Sequence, residues 1–412
     1  MHSVVSRSLK VFATTLSAAL LALSTPALAA AAPPPGPCAN HQAPPPPVDT
    51  SEKPAPGKQL PPPLAVPAQP VGGPRMAECG LITPDGALNP PDGNTAASWV
   101  VQDLDSGAIV AAKDPHARQR PASLIKTLLA LVVVTQLQPQ QVIVATKEDA
   151  EQECTCVGLA AGGQYTVDQL LHGLLMHSGN DVAHAFATAL GGVDTTVAKM
   201  NATAAKIGAL DTRAATPSGL DGPGMSTSAY DLSLIFHYAM KQPEFASVVA
   251  TKNFEIPAAG GKPAIPIFND NKLLGVYPGF LGGKTGFTDD ARHTYVGAAQ
   301  RQGKRLAVVM LRAEQKPTKV VDQAAKLLDY GFALEEDRAA PVGRITYQAP
   351  AATAANGDPS VAADGGTGNS GTSAAAAKDD PFGVTGWIIT LVVFLIIVGG
   401  FVVGHQRKKA TR

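Results

Sequence analysis

The chain has no excess charge of either sign: 33 lysines and arginines balance 33 aspartates and glutamates over 412 residues. That balance gives no pull toward a polyanionic partner, and no basic stripe marks a nucleic-acid surface. The signatures of several enzyme classes are missing too. There is no Gly-x-Ser-x-Gly and no His-Glu-x-x-His, which leaves the α/β-hydrolase and zincin readings without support. The stretch GFLGGKTG has the tail of a phosphate-binding loop, but Pro278 stands where its first glycine is required. Cysteines are few, and no histidine neighbours them. Cys154-Thr-Cys156 also lacks the usual ligand spacing, so no metal site and no cofactor is implied.

Long apolar runs are confined to the two ends. Arg7 and Lys10 precede an apolar stretch from Val11 to Leu23, and Ala27-Leu28-Ala29 follows as a small-x-small cleavage site. This pattern predicts a secretory signal peptide over 1–29. Near the other end Val384 to Gly404 is uncharged. At ~1.5 Å rise per residue that length matches a ~30 Å hydrocarbon core, so 384–404 is expected to span a membrane. Arg407, Lys408, Lys409 and Arg412 follow it and place the tail 405–412 in the cytoplasm. The expected location is therefore the cell membrane, with the main domain extracytoplasmic.

Two biased segments flank that domain. Residues 30–79 are proline-rich and predict an extended, semi-rigid arm; residues 346–383, rich in Ala, Gly, Ser and Thr, predict a flexible tether. Outside the cytoplasm four cysteines suggest disulfides, with three possible connectivities. Cys38–Cys79 with Cys154–Cys156 is the preferred pairing, since the first would tie the arm to the domain. A one-residue Cys-x-Cys ring is tight, so the other pairings stay open.

Residues 80–345 have the composition of a packed globule. Ser98 to Asp114 predicts a hairpin around Asp105-Ser106-Gly107. An apolar helix follows Ser123. Thr166 to Leu190 reads as two helices broken at Ser178-Gly179-Asn180, and Tyr230 to Met240 as another helix. GGKTGFT, HTYVGAAQ and RLAVVMLR read as consecutive strands, and Lys319 to Ala333 as an amphipathic helix. Strands at both ends with helices between predict an α+β fold: an antiparallel sheet formed from both ends of the domain, packed against a helical cluster.

Within PASLIKTLLALVVV, Lys126 is the one charge in an otherwise apolar run. A bland reading has Ser123 capping the helix and Lys126 snorkelling from its first turn. Two further motifs argue for chemistry. Ser123-Leu-Ile-Lys126 is followed by Ser178-Gly-Asn180 and then by Lys284-Thr285-Gly286. The three in this order are the signature of β-lactamases and penicillin-binding proteins. Serine acyl transfer needs a base, an oxyanion site and a grip on the substrate. A lysine buried at i+3 from the serine has a lowered pKa and serves as that base.

From Ser98 to about Phe332 the chain resembles the penicillin-binding domain of a D-alanyl-D-alanine carboxypeptidase, a low-molecular-mass penicillin-binding protein of the serine DD-peptidase/β-lactamase superfamily. The resemblance extends to GLAAGGQYTVDQLLHGLLMHSGNDVA, PSGLDGPGMSTSAYDL and YPGFLGGKTGFT. It implies that Ser123 is the nucleophile, Lys126 its base and Ser178 the proton relay to the leaving amine. It also implies that Asn180 holds the substrate amide and that Lys284, Thr285 and Gly286 meet the terminal carboxylate. The N–H groups of Ser123 and Phe287 would form the oxyanion hole, with Arg312 as a second carboxylate contact. The implied partners are a peptidoglycan pentapeptide ending in D-Ala-D-Ala, β-lactam antibiotics and the cytoplasmic membrane. His177 and His184 are read as packing or surface residues.

Three rival readings share the motifs. A class A β-lactamase adds a loop glutamate, where TPSGLDGPGMS offers only Asp221. A transpeptidase passes the acyl group to an amine; those enzymes usually carry a further large domain, for which this chain has no room. An inactive binding or sensing module would keep the fold, but the motif residues are intact.

Overall fold

The structure, a computed structural model, describes residues 38–347 apart from residue 154. The expected signal peptide, the membrane span at 384–404, the basic tail and nearly all of the tether lie outside these residues. Among the described residues no helix is long and apolar enough to cross a membrane.

The elements begin with β1 (Leu81–Ile82), β2 (Ser98–Asp103) and β3 (Ala108–Lys113). A short 3-10 turn, Ala122–Ile125, leads into α1 (Lys126–Gln136). Next come β4 (Val142–Val144), α2 (Lys147–Ala150), β5 (Gln164–Thr166), α3 (Val167–Met176), α4 (Asn180–Ala189) and α5 (Val193–Ile207). They are followed by α6 (Ala229–Ala239), α7 (Pro243–Val249), β6 (Asn253–Ile256) and β7 (Ile265–Phe268). The domain closes with β8 (Phe280–Thr288), β9 (Arg292–Arg301), β10 (Lys304–Ala313), α8 (Val320–Glu336) and β11 (Gly343–Arg344).

The main sheet runs β1-β3-β2-β10-β9-β8, with β11 also on β3, and every pairing is antiparallel. Strands from both ends of the domain thus meet at β2 and β10, as the sequence predicts. Side chains alternate across a strand, and β10 shows what that does here. Leu306, Val308 and Met310 join the core under α8, whereas Ala307, Val309 and Leu311 join the larger core of the helical cluster. Both faces are covered, so β10 is apolar on both. α1 is apolar all round and is buried from Lys126 to Val133. It forms the centre of the helical layer, and its first residues face the sheet edge formed by β8 and β9.

The proline-rich arm differs from its expectation. Residues 38–79 contain no strand and one 3-10 turn at Pro74–Ala77, and they are strapped along the domain. The Cys38–Cys79 disulfide, Cα atoms 5.2 Å apart, closes the strap as preferred from sequence. Cys156 is disulfide-bonded as well; Cys154, its expected partner, lies outside the described residues. Arg118, buried in the domain, donates to the carbonyls of Gln42 (2.7 Å), Leu64 (2.6 Å) and Ala65 (2.9 Å). His116 Nε2 lies 3.0 Å from the Val71 carbonyl, and Arg213 donates to that of Pro62 at 2.9 Å. The reason is chemical: a proline-rich chain has carbonyl acceptors and few N–H donors, so it joins no sheet and is held by cations instead.

Candidate active site

The three motifs converge at the mouth of the helical cluster, on a cleft of about 470 Å³. Ser123 sits in the 3-10 turn before α1. Neither that turn nor α1 has a side-chain cap, so the capping role for Ser123 is excluded. The turn is held from three sides. Thr294 on β9 donates to the Pro121 carbonyl at 2.9 Å. A Cβ on Gly219 would come 2.1 Å from the Ala122 carbonyl oxygen, and one on Gly286 would come 2.8 Å from the Ser123 nitrogen. Only glycine permits either approach. Ala122 is forced to φ 47°, a region alanine rarely occupies.

Lys126 does not snorkel; it is fully buried. Its Nζ is 3.0 Å from Ser123 Oγ, 2.8 Å from Asn180 Oδ1 and 2.5 Å from the Ser218 carbonyl oxygen. The two carbonyl oxygens can only accept. An ammonium can donate to all three oxygens; once neutral, the amine keeps its N–H groups on the two carbonyls and can turn its lone pair to the serine hydroxyl. Burial holds the Lys126 pKa well below the ordinary lysine value, and nearby Lys284 lowers it further.

Ser178 lies in the break between α3 and α4 at φ 64°, a strained conformation for serine. Its buried Oγ has no hydrogen-bond partner among the described residues, and Ser178 lines the cleft. Asn180 opens α4 and is fixed at both ends of its amide: Oδ1 faces Lys126, and Nδ2 donates to the Glu153 carbonyl at 2.7 Å. Lys284, on β8, is buried and donates to the Thr285 carbonyl at 2.7 Å; burial brings its pKa down to about 8. Thr285, Gly286 and Phe287 follow it along the cleft wall.

Arg312 is a correction. It does not line the cleft: a bulge between Met310 and Ala313 and a φ of 51° turn it aside, and its guanidinium donates to the Asp290 carbonyl at 2.8 Å. The cations on the cleft wall are Lys272 and Lys319. His177 is partly exposed, 3.9 Å from Asp270, and His184 Nδ1 lies 2.6 Å from Asp149; neither lines the cleft.

Several working parts are absent from the motifs. Asp181 is buried and accepts from the backbone of Val157 (3.0 Å), Gly158 (2.7 Å) and Leu159 (3.0 Å), pinning the loop beside Ser178. An aspartate directly after Asn180 at a helix start is the one available signal. The Ser218 carbonyl has none, since a backbone acceptor leaves no trace in a side-chain pattern. A half-buried hydroxyl on a buried amine, beside a fixed amide, a second hydroxyl and a cation, is a set of groups suited to acyl transfer.

A model of the D-alanyl-D-alanine carboxypeptidase family matches residues 87–315, more than half of the chain. The chain belongs to that family. It is accordingly a serine-type carboxypeptidase, as the resemblance over 98–332 implied. It is 49% identical over 258 residues to the D-alanyl-D-alanine carboxypeptidase DacB2 of Mycobacterium tuberculosis, covering 61% of this chain and 87% of the relative. A crystal structure of a D-alanyl-D-alanine carboxypeptidase from the same organism aligns with a TM-score of 0.59 and 46% identity, over 65% of this chain and all of that one. A DD-transpeptidase of Streptomyces aligns with a TM-score of 0.57 and 27% identity, over 60% of this chain and all of that one. The last finding removes one argument. That DD-transpeptidase chain is matched over its whole length, so chain length does not separate carboxypeptidase from transpeptidase.

Proposed function

We propose that this carboxypeptidase removes the terminal D-Ala from peptidoglycan stem peptides ending in D-Ala-D-Ala, through an acyl-enzyme on Ser123. The observation that carries the mechanism is the contact set of Lys126. Neutral Lys126 accepts the Ser123 proton as Oγ attacks the penultimate D-Ala carbonyl. The N–H groups of Ser123 and Phe287 take the oxyanion charge. The proton passes by way of Ser178 to the departing D-Ala amine as the C–N bond breaks. Water then attacks the ester, releasing the shortened peptide and restoring the Ser123 hydroxyl. Asn180 holds the substrate amide, and Lys284 with Thr285 holds the terminal carboxylate of the leaving D-Ala.

A β-lactam presents the same carboxylate and a reactive amide, so it acylates the same serine. Intact-mass analysis should show one β-lactam adduct on the wild type and none on Ser123→Ala, with D-Ala released from a D-Ala-D-Ala peptide by the wild type alone. An adduct persisting in Ser123→Ala refutes the assignment.

We further propose export through the 1–29 signal peptide and anchoring by 384–404, with the catalytic domain outside the membrane. A precursor attached to the wall or to lipid gives such an anchor a use. Truncation at Val384 should release active protein from the membrane fraction; retention there refutes the topology.

A further inference from the structure

The acyl-transfer steps make no use of the strap, yet the strap touches both turns beside the nucleophile. Arg120 is buried and leads through Pro121 and Ala122 into Ser123. Its guanidinium embraces the Glu52 carboxylate of the strap, with Nη2 2.8 Å from Oε2 and Nε on Oε1, while Nη1 donates to the Pro45 carbonyl at 2.7 Å. On the other side is Asp290, in the β8–β9 turn that follows Phe287. Its carboxylate accepts from the Val48 N–H and from Ser51 Oγ at 3.3 Å. Arg120 Nε lies 4.0 Å from Asp290 Oδ2. The Pro45–Glu52 segment therefore joins the turn that carries one proposed oxyanion donor to the turn beyond the other.

Charge makes Glu52 the sensitive member. Arg120 sits among three carboxylates, those of Glu52, Asp221 and Asp290, whose oxygens lie within 4.8 Å of one another. A bidentate pair with Glu52 fixes the direction of the guanidinium. Without it Arg120 turns to Asp290 or Asp221 and draws residues 120–122 with it. Ala122 already holds a strained φ of 47°, which persists only where its surroundings over-determine it. The strap does not depend on Glu52 to stay in place, because Arg118, Arg213 and the Cys38–Cys79 disulfide hold it elsewhere.

We propose that Glu52 of the strap, through Arg120 and Asp290, is a positioning residue that sets Ser123 against the oxyanion donors. The proposal rests on the acyl-enzyme reading of Ser123.

The test uses the full chain. Acylation by a reporter β-lactam is followed by stopped flow in wild type, Glu52→Gln, Glu52→Asp and Arg120→Lys, beside the urea midpoint of each. A sub-ångström shift of the nucleophile turn should slow the acylation step of Glu52→Gln about tenfold, with pre-acylation affinity and urea midpoint unchanged. Glu52→Asp, which keeps the charge, should recover most of the rate. Arg120→Lys, which keeps charge but loses the fork, should resemble Glu52→Gln; it also serves should Glu52→Gln fold poorly. A Ser123 adduct formed by folded Glu52→Gln at the wild-type rate overturns the positioning role alone. A rate loss that only tracks a lowered urea midpoint, in both Glu52→Gln and Arg120→Lys, overturns it too. A wild-type adduct on any residue other than Ser123 overturns instead the acyl-enzyme reading.

Discussion

Replacing Lys126 by arginine separates a base from a fixed charge. The side chain is fully buried, with its nitrogen on Ser123 Oγ, Asn180 Oδ1 and the Ser218 carbonyl. Arginine supplies a fixed positive charge and N–H donors for the two carbonyl acceptors, but it is not deprotonated in proteins. If Lys126 takes the serine proton, Lys126→Arg should lose about 10²–10⁴-fold in acylation rate, roughly 3–5 kcal/mol of transition-state stabilisation. The guanidinium is also larger than an ammonium, and overpacking a closed site costs about 1–3 kcal/mol of stability. A companion Lys126→Met controls for this, since it is close in volume and lacks both charge and base. The base reading expects both variants to be slow. A charge reading expects Lys126→Arg to be fast and Lys126→Met slow. The assay is stopped-flow acylation by a reporter β-lactam, with circular dichroism and urea midpoints confirming the fold. Folded Lys126→Arg acylating within about tenfold of wild type, where general-base loss typically exceeds a hundredfold, would refute the base role.

Two further outcomes follow from the same residues. The rate kcat/KM for D-Ala release should be bell-shaped in pH. It rises as Lys126, whose pKa burial and Lys284 hold low, loses its proton and becomes a base, and it falls above about 8 as Lys284 loses the charge that holds the carboxylate. Lys284→Arg should abolish the alkaline limb, and a limb left in place assigns it to another group. The strap should also matter for stability. Arg118→Leu removes donors to three strap carbonyls and to Asp211 at 3.1 Å, although His116 still pairs with Asp211 at 2.8 Å. The expected loss is about 3 kcal/mol in urea titrations with an unchanged m-value, and a loss under about 1 kcal/mol would show that the strap is only loosely held.

The sheet and the motif residues were legible because their signals are local. β8, β9 and β10 announce themselves as strand-like runs separated by Asp289–Ala291 and by the tight Gln302-Gly303 turn. Ser123, Lys126, Ser178, Asn180 and Lys284 fall together because each motif marks a junction: a helix start, a helix break and an edge strand. Arg312 came from the resemblance alone, and no local pattern shows the bulge after Met310 that carries it to the Asp290 carbonyl. The Ser218 carbonyl was invisible because it belongs to the backbone, and the proposed capping of a helix by Ser123 failed because Ala122–Ile125 form a 3-10 turn instead.

The sequence tied the strap to the domain only at Cys38–Cys79, and the cation contacts between were not read. Composition reports that a proline-rich segment is extended; it does not report whether the extended chain floats or lies on a surface. The deciding signal sits elsewhere, in Arg118-Gln-Arg120. Two arginines six and eight positions before the apolar helix α1 need partners once that helix is buried, and a guanidinium offers five N–H donors with no acceptor. The domain supplies Asp211 and Asp290, which leaves most of those donors open. The strap has the opposite imbalance, since each proline keeps its carbonyl acceptor and lacks an N–H. Each segment meets the other's deficit, and the disulfide at Cys38–Cys79 keeps them within reach. An arm with unpaired carbonyls and a domain with unpaired buried arginines thus imply each other. On that argument the catalytic unit begins at the strap and not at residue 80.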